Sequence, residues 1–322
     1  MRQTAAKLLS EQKVSGVLGY KRGEFFYDNV PFLFTDSAEL DMMVFDGFCA
    51  PTLSKFLLTT GKAGKKVAVF LKHCDTYNFN QLLKENRINR SLVYAIAIPC
   101  LGMLDLKKIK ALGLGAIQGV SNAAETTVII KTARGEQAVS KETILLEKCL
   151  ACKGHSAAVD FEEILCEIPP MPDYGYDKFA EIRKLEAMSV QERFAFWQSE
   201  LSKCIRCNAC KDICPACSCE QCIFDNVEAG IPSKAASNDF EDQMYHLIRA
   251  YHVAGRCTDC GECSRICPQG IPLYLLNRKF IADINEFYGA YQAGADLDSK
   301  PPLVSFKPED VEFAILDKKG EH

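Results

Sequence analysis

The sequence predicts two parts in series. The first is an α/β domain with a parallel βαβ core, and the second is a smaller module with helical flanks, organised by cysteine. Three observations carry this. Strand-sized apolar runs alternate with helix-sized amphipathic ones over residues 1–148. Eleven of the seventeen cysteines lie between Cys204 and Cys267. One pattern occurs twice, as Cys204-x2-Cys207-x2-Cys210-x3-Cys214-Pro215 and, 53 residues later, as Cys257-x2-Cys260-x2-Cys263-x3-Cys267-Pro268.

The elements follow in order. Residues 1–16 read as a short amphipathic helix. A hairpin is expected from 17–20 and 24–27 about Lys21, Arg22 and Gly23. Residues 42–45 precede a helix over 51–58 that Gly61 and Gly64 end. Residues 66–71 form a buried strand, and a helix over 78–87 puts Phe79, Leu82 and Leu83 on one face. A second buried strand spans 92–98, and a helix over 105–112 starts with Asp105 as its cap. Strand, helix, strand and helix in that order imply parallel pairing. Residues 128–131 and 137–139 make another hairpin about Arg134 and Gly135.

Beyond this domain, residues 149–203 hold a cysteine pair, an acidic linker over 155–173 and a helical stretch containing Trp197. The cysteine module occupies 204–272, with a spacer helix over 239–252. Residues 273–322 give a helix to about 291 and then an extended docking arm with Pro301, Pro302 and Pro308.

Composition narrows the function classes. At roughly 150 residues per domain, 322 residues suggest two domains. Apolar residues at 48% can fill a core, and a net charge of −4 gives none of the basic footprint expected for nucleic-acid binding. No run of 18 apolar residues suggests direct membrane insertion, and the N-terminus lacks a signal-peptide core. A cytoplasmic, reducing setting is expected, in which clustered cysteines point to metal rather than to disulfides.

Each repeated run has the spacing of a bacterial-type two-[4Fe–4S] ferredoxin module. Three thiolates in one tight loop serve one cubane, while the fourth starts the next helix and serves the other. One cluster therefore takes Cys204, Cys207, Cys210 and Cys267, and its neighbour takes Cys257, Cys260, Cys263 and Cys214. A pair of four-thiolate zinc sites, or inert buried thiols, is the bland alternative. Gly261 is expected to relieve crowding where the first run has Asn208. Lys203, Arg206 and Lys211 at the first cluster, and Arg256 and Arg265 at the second, would raise potentials if they face the sulfurs.

A third [4Fe–4S] cluster is expected on Cys149, Cys152, Cys219 and Cys222, with Cys217 as an alternative or spare ligand. A zinc staple on the same C-x2-C pairs, or thiols with no metal, are the competing readings. Cys49, Cys74, Cys100 and Cys166 are scattered. Cys74 and Cys100 each follow a parallel strand, and ligands bind beyond the carboxyl ends of such strands. Lys72, His73, Cys74, Asp75, Asn78, Cys100 and Gly102 would then converge on a flavin or another redox group, or else simply fill loop and core. There is no G-x-G-x-x-G after a strand, no P-loop, no H-E-x-x-H and no G-x-S-x-G, and no catalytic residue is singled out.

The segment LKHCDTYNFNQLLKENRINRSLVYAIAIPCLGMLD, then EKCLAC and CIRCNACKDICPACSCEQC, resembles the beta-subunit family of coenzyme-F420-reducing hydrogenases and dehydrogenases. The closer resemblance is to its dicluster-ferredoxin branch, found beside hydrogenase, formate-dehydrogenase and heterodisulfide-reductase-like modules. That resemblance implies electron transfer between iron–sulfur clusters and a flavin, FAD, with the loops about Lys72–Asp75 and 99–102 matching the cofactor-bearing region. The chain departs from flavin-bearing members in its short α/β domain and its full eight-cysteine module. The leading expectation is an iron–sulfur electron-transfer subunit of a multisubunit cytoplasmic oxidoreductase, rather than an independent catalyst. The alternatives are a flavin-bearing subunit acting on a soluble carrier and a structural or redox-sensing iron–sulfur protein.

Overall fold

Two strands buried at nearly every position need cover on both faces, and that requirement shapes the first half of the chain. The computed structural model describes residues 1–60, 64–152, 159–166, 172–226, 228, 239–305 and 307–308, in two units, Met1–Lys178 and Phe179–His322. The N-terminal unit is a mixed α/β sheet region, and the C-terminal unit is rich in helix.

In the first unit, α1 (Arg2–Ser10) leads to β1 (Gly16–Arg22) and β2 (Asn29–Phe34), then to α2 (Leu57–Thr60). The βαβ core is β3 (Val67–Leu71), α3 (His73–Lys84) and β4 (Val93–Ala97), followed by α4 (Leu106–Ala111). Next come β5 (Ile117–Ala124), β6 (Thr127–Thr132) and β7 (Gly135–Ser140). The short helices α5 (Lys141–Ile144) and α6 (Glu147–Leu150) precede β8 (Glu163–Ile164).

The main sheet has the order β2-β1-β3-β4-β8. β1, β3, β4 and β8 pair in parallel, and only β2 is antiparallel, at one edge. Every side chain of β3 is buried, as a strand covered on both faces requires. Asp105 caps α4 as expected, accepting from the Lys107 N–H at 2.8 Å and the Lys108 N–H at 3.4 Å.

Four expectations need correction. The second hairpin arm is β2, not 24–27. Gly23 N bonds Asp28 O across a longer turn, and Pro31, which lacks an N–H, sits on the edge strand that tolerates it. The helix of the βαβ core starts at His73 rather than 78, because Asp75 takes the Lys72 N–H at 3.3 Å and so starts the first turn. The 128–139 hairpin is two-thirds of a separate antiparallel sheet, order β5-β6-β7, whose exposed β5 gives little apolar signal. The acidic linker contributes β8, pinned where Arg90 grips Glu162 at 2.9 Å. The rest of that linker (155–158 and 167–171), Gly61 and the arm beyond 308 lie outside the described residues.

In the second unit, α7 (Ala180–Glu186) and α8 (Val190–Leu201) precede the first cysteine run, and Ser189 and Glu192 cap α8 reciprocally. α9 (Ala209–Asp212) and α11 (Glu262–Arg265) are single turns inside the two runs, separated by α10 (Asp239–Val253). α12 (Leu273–Tyr288) follows, ending at Gly289 with φ +84°. The described start of the tail lies on this unit's own body, where Tyr291 Oη donates to Gly255 O at 3.0 Å.

Candidate metal centres

The sequence repeat is also a backbone repeat. Two residues after the leading cysteine, Arg206 (φ +52°) and Asp259 (φ +61°) are left-handed. Four residues after it, Asn208 (φ +62°) and Gly261 (φ +67°) are left-handed too. Such turns aim successive N–H groups into one concavity, the geometry that favours anionic sulfur. Accordingly Arg206 N donates to Cys204 Sγ at 3.3 Å and Asp259 N to Cys257 Sγ at 3.4 Å. A Cβ at Gly261 would meet nothing within 4 Å. Its glycine suits the left-handed backbone conformation, and Asn is the side chain that best tolerates the same conformation in the first loop.

Cys204, Cys207 and Cys210 line one cavity, and the cysteine that joins them there is Cys267 of the second run, with Pro268. Cys214 of the first run acts electrostatically on both Cys257 and Cys263. Each trailing cysteine thus faces the opposite run. Burial raises Cys204 to about 11, whereas a hydrogen bond from Cys217 leads the effects that lower Cys214 to about 5. Among the described residues, no group of three or more His, Cys, Asp or Glu closes on a single metal ion. A cubane asks for a wider arrangement, since each thiolate meets its own iron.

The spacer α10 supplies what the cysteine arithmetic could not see. Its buried face carries Asp242, Tyr245, His246 and Arg249, while Phe240, Met244, Leu247 and Tyr251 are exposed. His246 Nε2 lies 3.2 Å from Cys204 Sγ. Burial, then Arg249 and Arg206, lower His246 to about 3, so its ring is neutral. Arg249 is 3% exposed, donates to Cys210 O at 2.9 Å and has no carboxylate partner among the described residues. Burial opposes its charge, but Cys214, Cys263, Cys217 and Cys210 together favour it. A buried, uncompensated guanidinium among the sulfurs of both runs is what two anionic clusters would balance, so the residues present fit the group. The signal for these residues was available in sequence. The apolar stripe of α10 and its polar stripe both have helical spacing, and the polar one faces inward.

Most cations expected to raise potentials are already paired. Lys203 meets Glu200 at 2.5 Å, Lys211 meets Asp225 at 2.5 Å, and Arg265 meets Glu262 at 2.7 Å. Arg206 lies 3.5 Å from Asp242 and stacks on Tyr245 at 4.1 Å, and Arg256 donates to His252 O at 3.0 Å.

In the first unit, two of the residues expected at the strand ends, Lys72 and Asp75, are in contact. Lys72, wholly buried, pairs with Asp75 at 3.0 Å and donates to Pro51 O at 3.0 Å and to the Tyr20 hydroxyl. Asn78 donates to Thr52 Oγ1 at 3.4 Å. His73 opens α3, with its carbonyl accepting from Thr76 Oγ1 at 2.6 Å. Gly102, φ +93°, turns the loop after β4, and burial leads the effects that raise the Cys74 and Cys100 thiols. Cys149 is buried and Cys152 half-buried in this unit. Cys217, Cys219 and Cys222 belong to the second, with Cys219 exposed.

Residues 200–271 match the model of the 4Fe-4S dicluster domain. The chain is 28% identical to the F420-dependent formate dehydrogenase subunit beta of Methanocaldococcus jannaschii, covering 93% of this chain and 92% of that one. It is 24% identical to the F420-dependent formate dehydrogenase 1 subunit beta of Methanococcus maripaludis, over 92% and 90%. A chain of the F420-reducing [NiFe] hydrogenase complex from Methanosarcina barkeri aligns at 17% identity with a TM-score of 0.37, over 47% of this chain and 57% of that one. The chain thus carries a dicluster-type iron–sulfur domain and is related, at modest identity, to these beta subunits. Among the described residues no helix is long and apolar enough to cross a membrane.

Proposed function

We propose that this chain is the iron–sulfur electron-transfer subunit of a multisubunit oxidoreductase of the formate-dehydrogenase or hydrogenase type. The observation that carries the reading is Cys267 lining the cavity of Cys204, Cys207 and Cys210, because crossed ligation sets two centres side by side. Each bound [4Fe–4S] cluster would take up and release one electron at a time. The ligands are Cys204, Cys207, Cys210 and Cys267 for one centre, and Cys257, Cys260, Cys263 and Cys214 for the other. A third centre, anchored by Cys149 and Cys152, would extend the relay.

The chain's own residues do the rest. The Arg206 and Asp259 N–H groups hold the leading sulfurs, the buried Arg249 balances charge, and burial of Cys210, Cys214, Cys263 and Cys267 keeps water from half of the ligands. The exposed apolar stripe of α10 is the kind of surface a partner subunit covers. The similarity to formate dehydrogenase beta subunits over nearly the whole chain supports the same partnership.

The test uses the complex isolated anaerobically with its partners. Cys267→Ala should remove the EPR signal of the centre on Cys204, Cys207 and Cys210, and spare the one on Cys257, Cys260 and Cys263. Turnover from donor to acceptor should then fall to background. Full turnover by an assembled complex lacking that signal would instead make the clusters structural or sensory. A flavin absorbance band that bleaches with donor would add FAD to the first unit and make the chain a redox catalyst itself.

A further inference from the structure

The cysteine repeat breaks in one place. Three residues past its trailing cysteine the first run carries Cys217, and the second carries Gly270. The backbone closes the same turn at both. Cys217 N donates to Cys214 O at 3.1 Å, and Gly270 N to Cys267 O at 3.1 Å. A turn closed by that bond brings its first and last Cα atoms within about 7 Å, so a thiol at the fourth position lies close to the ligand at the first. The first run therefore ends in a pair of thiols, Cys214-Pro215-Ala216-Cys217, and the second run ends in one.

The neighbours of Cys217 are those of the centre on Cys257, Cys260, Cys263 and Cys214, the second centre. Cys217 packs with Cys257 against Cys214, Ala216 and Val253. Cys214 takes a hydrogen bond from its side chain. Cys214, Cys263 and Cys217 all act on the buried Arg249. The next residue ties the two segments together, since Arg256 donates to Ser218 Oγ at 3.3 Å while Cys257 N bonds Val253 O at 2.8 Å. Cys219 is exposed, and Cys222 opens the turn at Ile223–Asp225 in a separate apolar group.

We infer that Cys217 is a reserve ligand of the second centre, taking the iron corner of Cys214 when that thiolate is lost. This rests on the iron–sulfur reading above, and it assigns Cys217 to the second centre rather than to the third.

Cys217 releases its thiol proton to water as it binds iron, so the core again has four thiolates and an unchanged net charge. No electron is gained or lost. Arg249 interacts with Cys214 and with Cys217, so the charge it balances is kept after the exchange. The first centre has no such reserve, because Gly270 stands where a fifth thiol would be. Loss of Cys267 and loss of Cys214 should therefore have unlike consequences in otherwise matched loops.

The experiment is iron and acid-labile sulfide quantitation on the full chain, purified anaerobically, with EPR of the reduced form. Cys214→Ala should keep its iron and both ferredoxin-type signals, the second one altered in line shape by its new ligand. Cys214→Val, which fills the buried site that alanine leaves empty, should do the same and guards against a folding failure of the first variant. Cys214→Ala with Cys217→Ala should lose about four irons and the second signal alone. Cys217→Ala by itself should lose none. Cys267→Ala should lose about four irons and the first signal, the effect of losing a trailing cysteine that has no reserve. Loss of the second signal from both single Cys214 variants overturns the inference. So does its survival in the variant lacking Cys214 and Cys217, or iron lost from Cys217→Ala alone. The iron–sulfur reading fails separately, if the unaltered chain shows neither signal.

Discussion

The two cysteine loops of the second unit share a backbone and differ in what covers them. Both place left-handed residues two and four positions after the leading cysteine, and both aim an N–H back at its sulfur. Over the first loop lies the polar face of α10, with His246 3.2 Å from Cys204 Sγ and Tyr245 Oη bonding Asn208 Oδ1 at 3.1 Å. Over the second lies α12, where Asn277 Nδ2 is 3.7 Å from Cys263 Sγ and Arg278 is neutralised by Asp259 at 3.0 Å. On the proposed ligand assignment, ligation belongs to the loop and potential to its cover. Donors and positive charge favour the more negative, reduced state, so the first centre should have the higher potential.

Arg249 tests how far the two centres share one environment. It touches the backbone of Cys210 and acts on Cys214 and Cys263, so it serves both. Arg249→Leu should lower both potentials, each by about 100 mV, taking about 2 kcal/mol for a buried charged hydrogen bond and converting for one electron. Redox titration followed by EPR reads the two separately. A shift in one centre alone would show that the guanidinium belongs to that centre. His246→Leu should act on the first centre only, lowering it by about 60 mV for a lost bond of about 1.4 kcal/mol. Equal shifts in both centres would break the comparison, because His246 has no described contact with the second loop.

How much of this was legible in the sequence depends on the range of the signal. Sulfur spacing fixes loop geometry locally, so the repeat could be read directly, and Cys267 does line the cavity of the first run. The apolar runs of β3 and β4 and the Asp105 cap are equally local. β8 is two residues in an acidic stretch, held by an ion pair between Arg90 and Glu162 that is 72 residues long in sequence. No periodicity records such a pairing. The early start of α3 was hidden because its first turn buries Asp75, Thr76, Tyr77 and Asn78, mostly polar residues where an amphipathic pattern would place apolar ones. The approach of Cys149 to Met103 depends on loop closure across 46 residues and has no signature at all.

The smallest effect tests the backbone half of the comparison. If the two loops require the same left-handed residue, their different side chains at that position should differ only in conformational cost. Gly261→Ala meets no protein atom within 4 Å, so the loss expected from φ is about 1 kcal/mol. Asn208→Gly should be nearly neutral in that term, since Asn already tolerates the conformation. It also gives up the bond from Tyr245, worth about 1 kcal/mol, and so should be destabilising by a similar amount for a different reason. Denaturant midpoints of the loaded chain measure both losses, and Tyr245→Phe separates them. In a Tyr245→Phe background Asn208→Gly should cost almost nothing, while Gly261→Ala should cost as much as before. If Asn208→Gly remains costly there, Asn208 has a role in the loop beyond its backbone, and the two loops are less alike than their dihedral angles.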